Sequence, residues 1–223
     1  MIVVLGSRHD PVAAALVNAW PDAALCSAED LTRPGWVWRP GSPQPPRWVV
    51  DGKLVSDDDI SGVFVRRSAV YPEELLSTHP DDRSYLAAET QAFLIFVLAT
   101  TQALVANPVD DGALGEEAIR PERWIPAAKD AGLSIAPLRL TSSRLKPRRL
   151  HPIVVEVVGG EVFGDAPARS KAAALQMARQ LGLPWATVVF DGRHRLLTIT
   201  GDRPPGNEAA GALGRLLAAS GRA

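Results

Sequence analysis

Cysteine and histidine, the side chains that most often bind transition metals, are scarce in this sequence of 223 residues. Cys26 is the only cysteine, and a single thiol forms neither an internal disulfide nor a cysteine cluster for zinc. No two histidines have the spacing that would place their imidazoles on one helical face. The four are His9, His79, His151 and His194. The sequence therefore predicts no metal site and favours a reducing compartment.

Neither an excess of charge nor a long apolar run is present. The 24 basic residues nearly balance the 25 acidic ones, leaving a net charge of −1, so no overall field attracts nucleic acid or an anionic membrane. The longest continuous apolar run, 92–99, is shorter than the roughly 18 residues that a membrane-spanning helix requires. The N-terminus lacks the basic segment of a secretory signal. We expect a cytoplasmic protein without nucleic-acid or membrane partners.

Motifs for covalent catalysis or phosphate binding are also missing. The sequence contains no G-x-S-x-G elbow, no G-x-G-x-x-G fingerprint and no P-loop lysine. Cys26 has no flanking basic residue that would activate its thiol. The acidic run 57–59 is interpreted as a solvated turn rather than a cation site, because consecutive residues of an extended chain point in alternate directions. No catalytic residue is predicted.

The pattern of apolar residues predicts alternating strands and helices. Residues 2–5 are expected to form a first strand and 11–20 a helix that Asp10 caps. The longest helix is predicted over 81–104. Between 93 and 98 it is apolar on every face, which is typical of a helix buried on all sides. This alternation favours an α/β fold with a mainly parallel sheet and helices on both faces.

Glycine-containing pairs mark tight turns between further strands, which is the pattern of antiparallel hairpins. These pairs are Asp51-Gly52, Gly159-Gly160 and Asp191-Gly192. Residues 142–151 are basic, contain proline and lack a period, so they are interpreted as a linker. Because no aromatic residue lies among them for base stacking, the cations of that segment are interpreted as solvated rather than as a nucleic-acid surface. They are Arg144, Lys146, Arg148 and Arg149.

Two arginines at the end of a predicted strand are candidate binding residues. Arg66 and Arg67 follow the apolar run 62–65. Successive strand residues face opposite sides, so one guanidinium could lie in a crevice and hold a carboxylate or phosphate through two hydrogen bonds. The alternative is a solvated strand end paired with Glu73 or Glu74. The sequence leaves both interpretations open.

A second pair of candidates, Arg8 and His9, follows the first predicted strand. Open α/β sheets bind ligands outside the carboxyl ends of their strands, which is where these side chains would lie. A loop that only caps the next helix would have the same sequence.

The order of these motifs resembles the ATP-grasp ligases, and most of all the microviridin- or graspetide-type peptide macrocyclases. The resemblance depends on the strand Val63-Phe64-Val65-Arg66-Arg67, the pair Asn107-Pro108 and the segment from Gly132 to Thr141. They are similar to a W/F-x-R-R strand, a V-x-N-P strand end and a G-L-x-I-P-x-T run. Residues 151–164 and 172–199 resemble the last module of that family. The resemblance implies a pre-ATP-grasp domain followed by an ATP-grasp module.

The sequence departs from that family where nucleotide and metal would bind. Ten residues, 142–151, occupy the place of a nucleotide-binding subdomain, and Lys146-Pro147 lacks the apolar strand that precedes the family's ATP-binding lysine. Leu197-Thr198-Ile199-Thr200 replaces the family's Glu and Asn ligands for magnesium, and Val188-Val189 replaces another acidic ligand. Because threonine hydroxyls do not substitute for the carboxylate that a hard cation requires, these departures predict that catalysis is lost.

These observations predict an α/β protein with two parts. Residues 1–141 are expected to form a pre-ATP-grasp-like domain, 142–150 a linker, and 151–223 a small α+β remnant of the ATP-grasp module. The expected function is that of a catalytically degenerate ATP-grasp-like protein. It would bind a peptide or an enzyme partner without a cofactor, and the resemblance implies a place in ribosomal-peptide modification and a homodimer. The predicted contacts for a carboxylate or peptide are Arg66, Arg67, Arg8 and His9.

Two other functions remain open on the sequence alone. One is an active ATP-dependent carboxylate-amine ligase that needs ATP and magnesium and uses displaced groups such as Lys146 with Asp191 or Asp202. The other is an enzyme of unrelated chemistry in the vacated cleft.

Overall fold

A computed structural model describes residues 1–39, 41–107, 114, 119–137 and 152–220. The chain divides into two compact units, one of Met1–Ala118 with Ala210–Ala223 and the other of Ile119–Ala209. The predicted linker, 142–150, lies outside the described residues, so the predicted domain boundaries stay a prediction. None of the helices in the described ranges is long and apolar enough to cross a membrane.

The first unit contains a four-stranded parallel sheet flanked by helices. The strand order is β2-β1-β5-β6, and a separate antiparallel hairpin is formed by β3 and β4. The strands are β1 (Ile2–Leu5), β2 (Ala23–Cys26), β3 (Arg47–Val50), β4 (Lys53–Ser56), β5 (Gly62–Val65) and β6 (Leu104–Ala106). The helices that lie between them in sequence are α1 (Pro11–Ala19), α2 (Ala28–Leu31) and α3 (Arg83–Thr100).

Local chemistry accounts for the predicted strand-loop-helix opening. β1 is apolar and wholly buried in the sheet. Asp10 caps α1, since its Oδ1 accepts a hydrogen bond of 2.9 Å from the backbone N–H of Val12, and Pro11 occupies the first helical position. The loop 6–10 therefore leaves the carboxyl end of β1 with a fixed direction.

The hairpin β3–β4 turns at the predicted Asp51-Gly52 pair. Both residues have positive φ angles, 50° and 72°, which a two-residue primed turn requires. The adjoining acidic run contradicts the interpretation of a solvated turn. Residues Asp57–Asp59 form a short 3-10 helix in which Asp57 is only 3% exposed. Its carboxylate accepts hydrogen bonds from Trp48 Nε1 and Thr101 Oγ1, each of 2.7 Å, so it fastens the hairpin to the end of α3.

Helix α3 is the longest helix of the chain's described part, as predicted, but it is not buried on all sides. Leu94 and Val97 are fully buried in the core of the first unit, whereas Phe96 is 40% exposed. The ring of Phe96 lies edge-on to Trp38, with 6.4 Å between the ring centroids. The prediction was wrong because the helix packs on the sheet through one side only, and an apolar run does not specify how many sides have neighbours.

The second unit contains a four-stranded antiparallel sheet of order β10-β9-β7-β8. Its strands are β7 (Ile153–Val158), β8 (Glu161–Phe163), β9 (Trp185–Phe190) and β10 (Leu196–Thr200), and its helices are α4 (Pro121–Asp130) and α5 (Ala168–Gln180). The two predicted hairpins at Gly159-Gly160 and Asp191-Gly192 are confirmed. Every residue of β9 is buried, as expected for an inner strand whose faces are both covered.

The last helix, α6 (Asn207–Ala219), returns to the first unit through its residues from Ala210 onward. Trp20 Nε1 donates a hydrogen bond of 2.8 Å to the carbonyl of Ala210. A β-carbon at Gly62 would lie 2.9 Å from Cα of Leu217, so glycine allows α6 to approach β5 closely.

Candidate functional site

The carboxyl ends of β1 and β5 lie side by side at the point where the strand order of the parallel sheet reverses. β1 is followed in sequence by β2 on one side, whereas the later strands β5 and β6 lie on its other side. Such a reversal opens a crevice beyond the strand ends, and open α/β sheets bind ligands there. The predicted candidates Arg8, His9, Arg66 and Arg67 all follow these two strands.

Arg66 contributes to the structure of this region. Its Nε and Nη2 both lie 3.1 Å from Oδ2 of Asp10, and the two side chains are 11% and 17% exposed. Asp10 uses its other oxygen to cap α1. Arg66 therefore ties the strand end of β5 to the start of α1.

Arg67 is buried, with 7% of its surface exposed, and its Nη2 donates a hydrogen bond of 2.6 Å to Oε1 of Glu74. The sequence left Glu73 and Glu74 open as ion-pair partners at this strand end, and in the structure Arg67 pairs with Glu74. Its second oxygen accepts a hydrogen bond of 3.1 Å from the backbone N–H of Tyr71 and so closes the 3-10 helix Pro72–Glu74.

The remaining donors of Arg67 are the most unusual feature of the region. Nε and Nη1 are buried, and no described residue accepts a hydrogen bond from either atom. A guanidinium carries five N–H donors in a rigid fork, and buried donors are normally paired. Arg67 is thus a buried cation that is only partly satisfied by Glu74.

Arg8 and His9 line a cavity of about 200 Å³ beyond the end of β1. The other lining residues are Ser7, Ser27, Ala28, Glu29, Glu73, Glu74 and Leu76. Arg8 forms an ion pair of 3.0 Å with Glu29, and both side chains are at least half exposed. The structure therefore brings Arg8 and His9 together, and Glu74 connects their cavity to Arg67.

A second cavity of about 440 Å³ adjoins the first, since the two share Glu29, Glu74 and Leu76. It is lined further by Thr32, Arg33, Pro34 and Ser77. We call the two cavities together the β1/β5 groove. Leu76 is 76% exposed at its rim. Sequence reasoning missed Glu29 and Leu76, because nothing in their local pattern distinguishes them from ordinary surface residues.

Cys26, the only cysteine, lies at the end of β2 and is fully buried. Burial raises the pKa of its thiol far above the usual range, the carboxylate of Asp30 raises it further, and the positive charge of Arg67 opposes both. The thiol stays protonated at neutral pH and is not a nucleophile.

In the second unit, the turn between β9 and β10 is organised by Asp191. Its Oδ1 accepts hydrogen bonds of 2.9 Å from the backbone N–H groups of Arg193 and Arg195, and its Oδ2 pairs with the Arg195 guanidinium at 2.7 Å. Burial raises the pKa of Asp191, but the hydrogen bonds and the charge of Arg195 outweigh it and lower the pKa below its ordinary value. Both oxygens of this carboxylate serve the turn.

No family model matches the sequence, and no curated protein matches it. Solved structures do. The macrocyclase MdnC from Microcystis aeruginosa MRC, bound with its precursor peptide MdnA, aligns with a TM-score of 0.72 at 12% identity over 98% of this chain and 99% of that chain. The fold is that of the RiPP-associated ATP-grasp ligases.

Two further ligase structures agree with this fold. The RiPP-associated ATP-grasp ligase of Chryseobacterium gregarium, in complex with ADP and a leader and core peptide, aligns with a TM-score of 0.69 at 9% identity over 97% and 96% of the two chains. The ATP-grasp ligase PsnB, complexed with a minimal precursor, gives 0.64 at 13% identity over 98% of each chain. The predicted α/β fold of ATP-grasp type is confirmed.

An ATP-grasp ligase fold implies a magnesium-bound nucleotide, and the described residues of β9 and β10 do not fit as ligands for its metal. At the positions where acidic ligands are expected, Val188 of β9 and Ile199 of β10 lie in the apolar core of the second unit, and Val189 is also buried. The described residues contain no group of three or more His, Cys, Asp or Glu side chains that could hold a metal ion. Lys146, the lysine of the ligase alternative, lies outside the described residues.

The other two residues of the ligase alternative, Asp191 and Asp202, are engaged locally. Asp191 holds its own turn, and Asp202 accepts a hydrogen bond of 2.5 Å from Thr200 Oγ1. Thr200 is itself buried, with 4% of its surface exposed.

Proposed function

We propose that this chain is a catalytically degenerate protein with the ATP-grasp ligase fold, which binds a peptide, or an enzyme that acts on one, in the modification of ribosomally made peptides. The peptide part is supported by the solved ligases of the same fold, which are complexes with precursor, leader and core peptides. The degenerate part is supported by the residues of the second unit.

One observation carries the loss of catalysis: apolar side chains fill the strands on which the ligase fold would need metal ligands. Val188 is fully buried, and its neighbour in the register across the sheet, Ile199, is 1% exposed. Transfer of a phosphoryl group depends almost entirely on positioning and on cationic charge around the phosphates. A valine–isoleucine pair supplies neither a ligand nor a place for a hydrated cation.

The β1/β5 groove is the proposed peptide site. Arg8 and His9 line it, and Arg67 lies behind Glu74 at its wall. Arg66, also predicted as a contact, serves in this proposal to hold the Asp10 loop that shapes the groove. The groove combines charged groups of both signs with the exposed apolar side chain of Leu76, as an extended peptide with mixed side chains would require.

Titration of the purified chain with Mg-ATP, combined with an assay for ADP, tests the loss of catalysis. We expect no saturable binding up to about 1 mM. A dissociation constant of that size corresponds to a binding free energy of about −4 kcal/mol. Saturable binding that is lost in Lys146→Ala, with release of ADP that depends on a carboxylate co-substrate, would instead establish the ligase alternative.

Peptide binding is tested separately with synthetic copies of the short peptides encoded beside its gene, by isothermal titration. We expect saturable binding to the wild-type chain and weaker binding to a variant carrying Arg8→Ala. Absence of binding by every such peptide would contradict the peptide role.

The homodimer and a modifying-enzyme partner remain part of this proposal. Light scattering after size exclusion is expected to give twice the mass of one chain. A single-chain mass at micromolar concentration would contradict the homodimer and leave the peptide site unaffected.

A further inference from the structure

We propose that Glu74 occupies the place of a ligand: an acidic peptide side chain enters the β1/β5 groove, displaces the Glu74 carboxylate from Nη2 of Arg67 and binds Nη2 together with one of the donors that Glu74 leaves unused. The inference rests on the proposed peptide-binding function and specifies the chemistry that the groove selects. It assigns Arg67 as the specificity residue and Glu74 as an internal competitor.

The unused donors of Arg67 are the first support. Its Nε and Nη1 are buried and donate no hydrogen bond to a described residue, and Nη2 alone contacts Glu74. A guanidinium offers parallel N–H pairs that match the two oxygens of one carboxylate. The pair with Glu74 uses a single oxygen, Oε1. A carboxylate free to approach the fork would therefore make more hydrogen bonds than Glu74 does.

The geometry of Glu74 is the second support. Its other oxygen accepts a hydrogen bond of 3.1 Å from the backbone N–H of Tyr71, so the side chain cannot present both oxygens to Arg67 without losing this cap of the 3-10 helix Pro72–Glu74. Its side chain is 23% exposed, and it lines both cavities of the groove. A ligand in either cavity therefore reaches Glu74 before it reaches Arg67.

The surroundings favour an acidic residue within a peptide over a free inorganic anion. Leu76, which lines both cavities, and Tyr71, whose backbone N–H binds Glu74, are 76% and 51% exposed, so apolar surface is available close to Glu74. The groove lining carries three glutamates against two arginines, and this excess of negative charge disfavours a multiply charged anion such as phosphate more than a single carboxylate. A single carboxylate flanked by apolar side chains matches this arrangement.

The test measures binding of two fluorescein-labelled probes, Ala-Leu-Glu-Leu-Ala with both ends blocked and its Gln counterpart, by fluorescence anisotropy. We expect the wild-type chain to prefer the Glu probe. In Glu74→Gln the Glu probe should bind about tenfold more tightly, because the charged competitor is gone, whereas the Gln probe should change by less than about twofold.

Glu73→Gln is the matched control, because Glu73 is exposed, lines the same groove and carries the same charge but makes no contact with Arg67 among the bonds described. We expect it to change binding of the Glu probe by less than about threefold, through screened long-range charge only. Arg67→Gln should abolish the preference for the Glu probe. Glu74→Gln keeps the arginine and an amide oxygen that can accept its hydrogen bond, so the proposal stays testable even where Arg67→Gln is unstable.

Equal gains in Glu74→Gln and Glu73→Gln would overturn the exchange, because net charge alone would then account for the effect. Equal binding of the Glu and Gln probes would also overturn it, while leaving peptide binding intact. Failure of the proposed peptide-binding function would give a different result. In that case no peptide encoded beside its gene would bind either the wild-type chain or Glu74→Gln.

Discussion

The ends of the parallel strands in the first unit and the antiparallel strands of the second unit differ in where their charged side chains lie. Beyond β1 and β5 the chain concentrates charge in three ion pairs, Arg8–Glu29, Arg66–Asp10 and Arg67–Glu74. In β9 and β10 apolar side chains fill the interior, and the charged pair Asp191–Arg195 is confined to the turn. The first unit therefore has paired charges at its strand ends, whereas the strands of the second unit have an apolar interior.

A carboxylate placed in the apolar strand β9 is expected to cause the largest loss of stability. Val188→Asp should lower the free energy of unfolding by about 4 kcal/mol, because the site is fully buried and offers the new charge no partner. Thr198→Asp, at a half-buried position of the neighbouring strand β10, should lower the free energy of unfolding by about 1 kcal/mol. Denaturant unfolding measures both. A loss below about 1 kcal/mol in Val188→Asp would mean that β9 can still accommodate a ligand carboxylate.

Removal of Asp57 tests a carboxylate of the first unit that is committed to structure rather than to binding. Asp57→Ala leaves the buried Trp48 Nε1 and Thr101 Oγ1 without an acceptor and should cost about 3 kcal/mol. The exposed neighbour Asp58 is the matched control, and Asp58→Ala should change stability by less than about 0.5 kcal/mol. If Asp57→Ala and Asp58→Ala change stability equally in thermal or denaturant unfolding, the acidic run is a solvated turn after all.

The charged turn of the second unit predicts a pH dependence. Hydrogen bonds lower the folded-state pKa of Asp191, so its contribution is fully present above the pKa of an unfolded aspartate, about 3.9, and is lost as the pH falls through the lower folded value. Asp191→Asn should cost about 2 kcal/mol at pH 7. The difference in unfolding free energy between wild type and variant should shrink below about pH 4. A difference that is constant from pH 7 to about pH 2 would contradict this assignment.

The exposed ion pair of the groove should contribute least to stability. Arg8→Ala breaks the contact with Glu29, but both side chains are at least half exposed, so the free energy of unfolding should change by less than about 0.5 kcal/mol. The same variant is expected to weaken peptide binding. A loss of stability above about 1 kcal/mol would assign Arg8 a structural role like that of Arg66.

Sequence reasoning succeeded where the signal is local. The Asp51-Gly52 turn, the cap of α1 by Asp10 and the close of the β7–β8 hairpin at Gly159-Gly160 each depend on a few neighbouring residues, and the structure confirms them. It failed where a neighbour from far along the chain decides. Asp57 is buried because Trp48 and Thr101 converge on it, and Phe96 is exposed because α3 contacts the sheet through one side only.

The groove was only partly predictable for the same reason. The rule that ligands lie at strand ends indicated Arg8, His9, Arg66 and Arg67. The adjacent arginines Arg66 and Arg67 nevertheless have different surroundings in the structure. Arg66 pairs with a helix cap and Arg67 lies buried against Glu74.

By itself, the sequence determined the alternation of strands and helices, the turns, the parallel sheet and the apolar character of β9 and β10, since each follows from side-chain periodicity and backbone preference. Only the tertiary structure decided which arginine is buried, which glutamate faces it and which donors are left unpaired. Those are properties of side chains that meet across strands distant in the chain, and their pairing depends on burial, which no local pattern encodes.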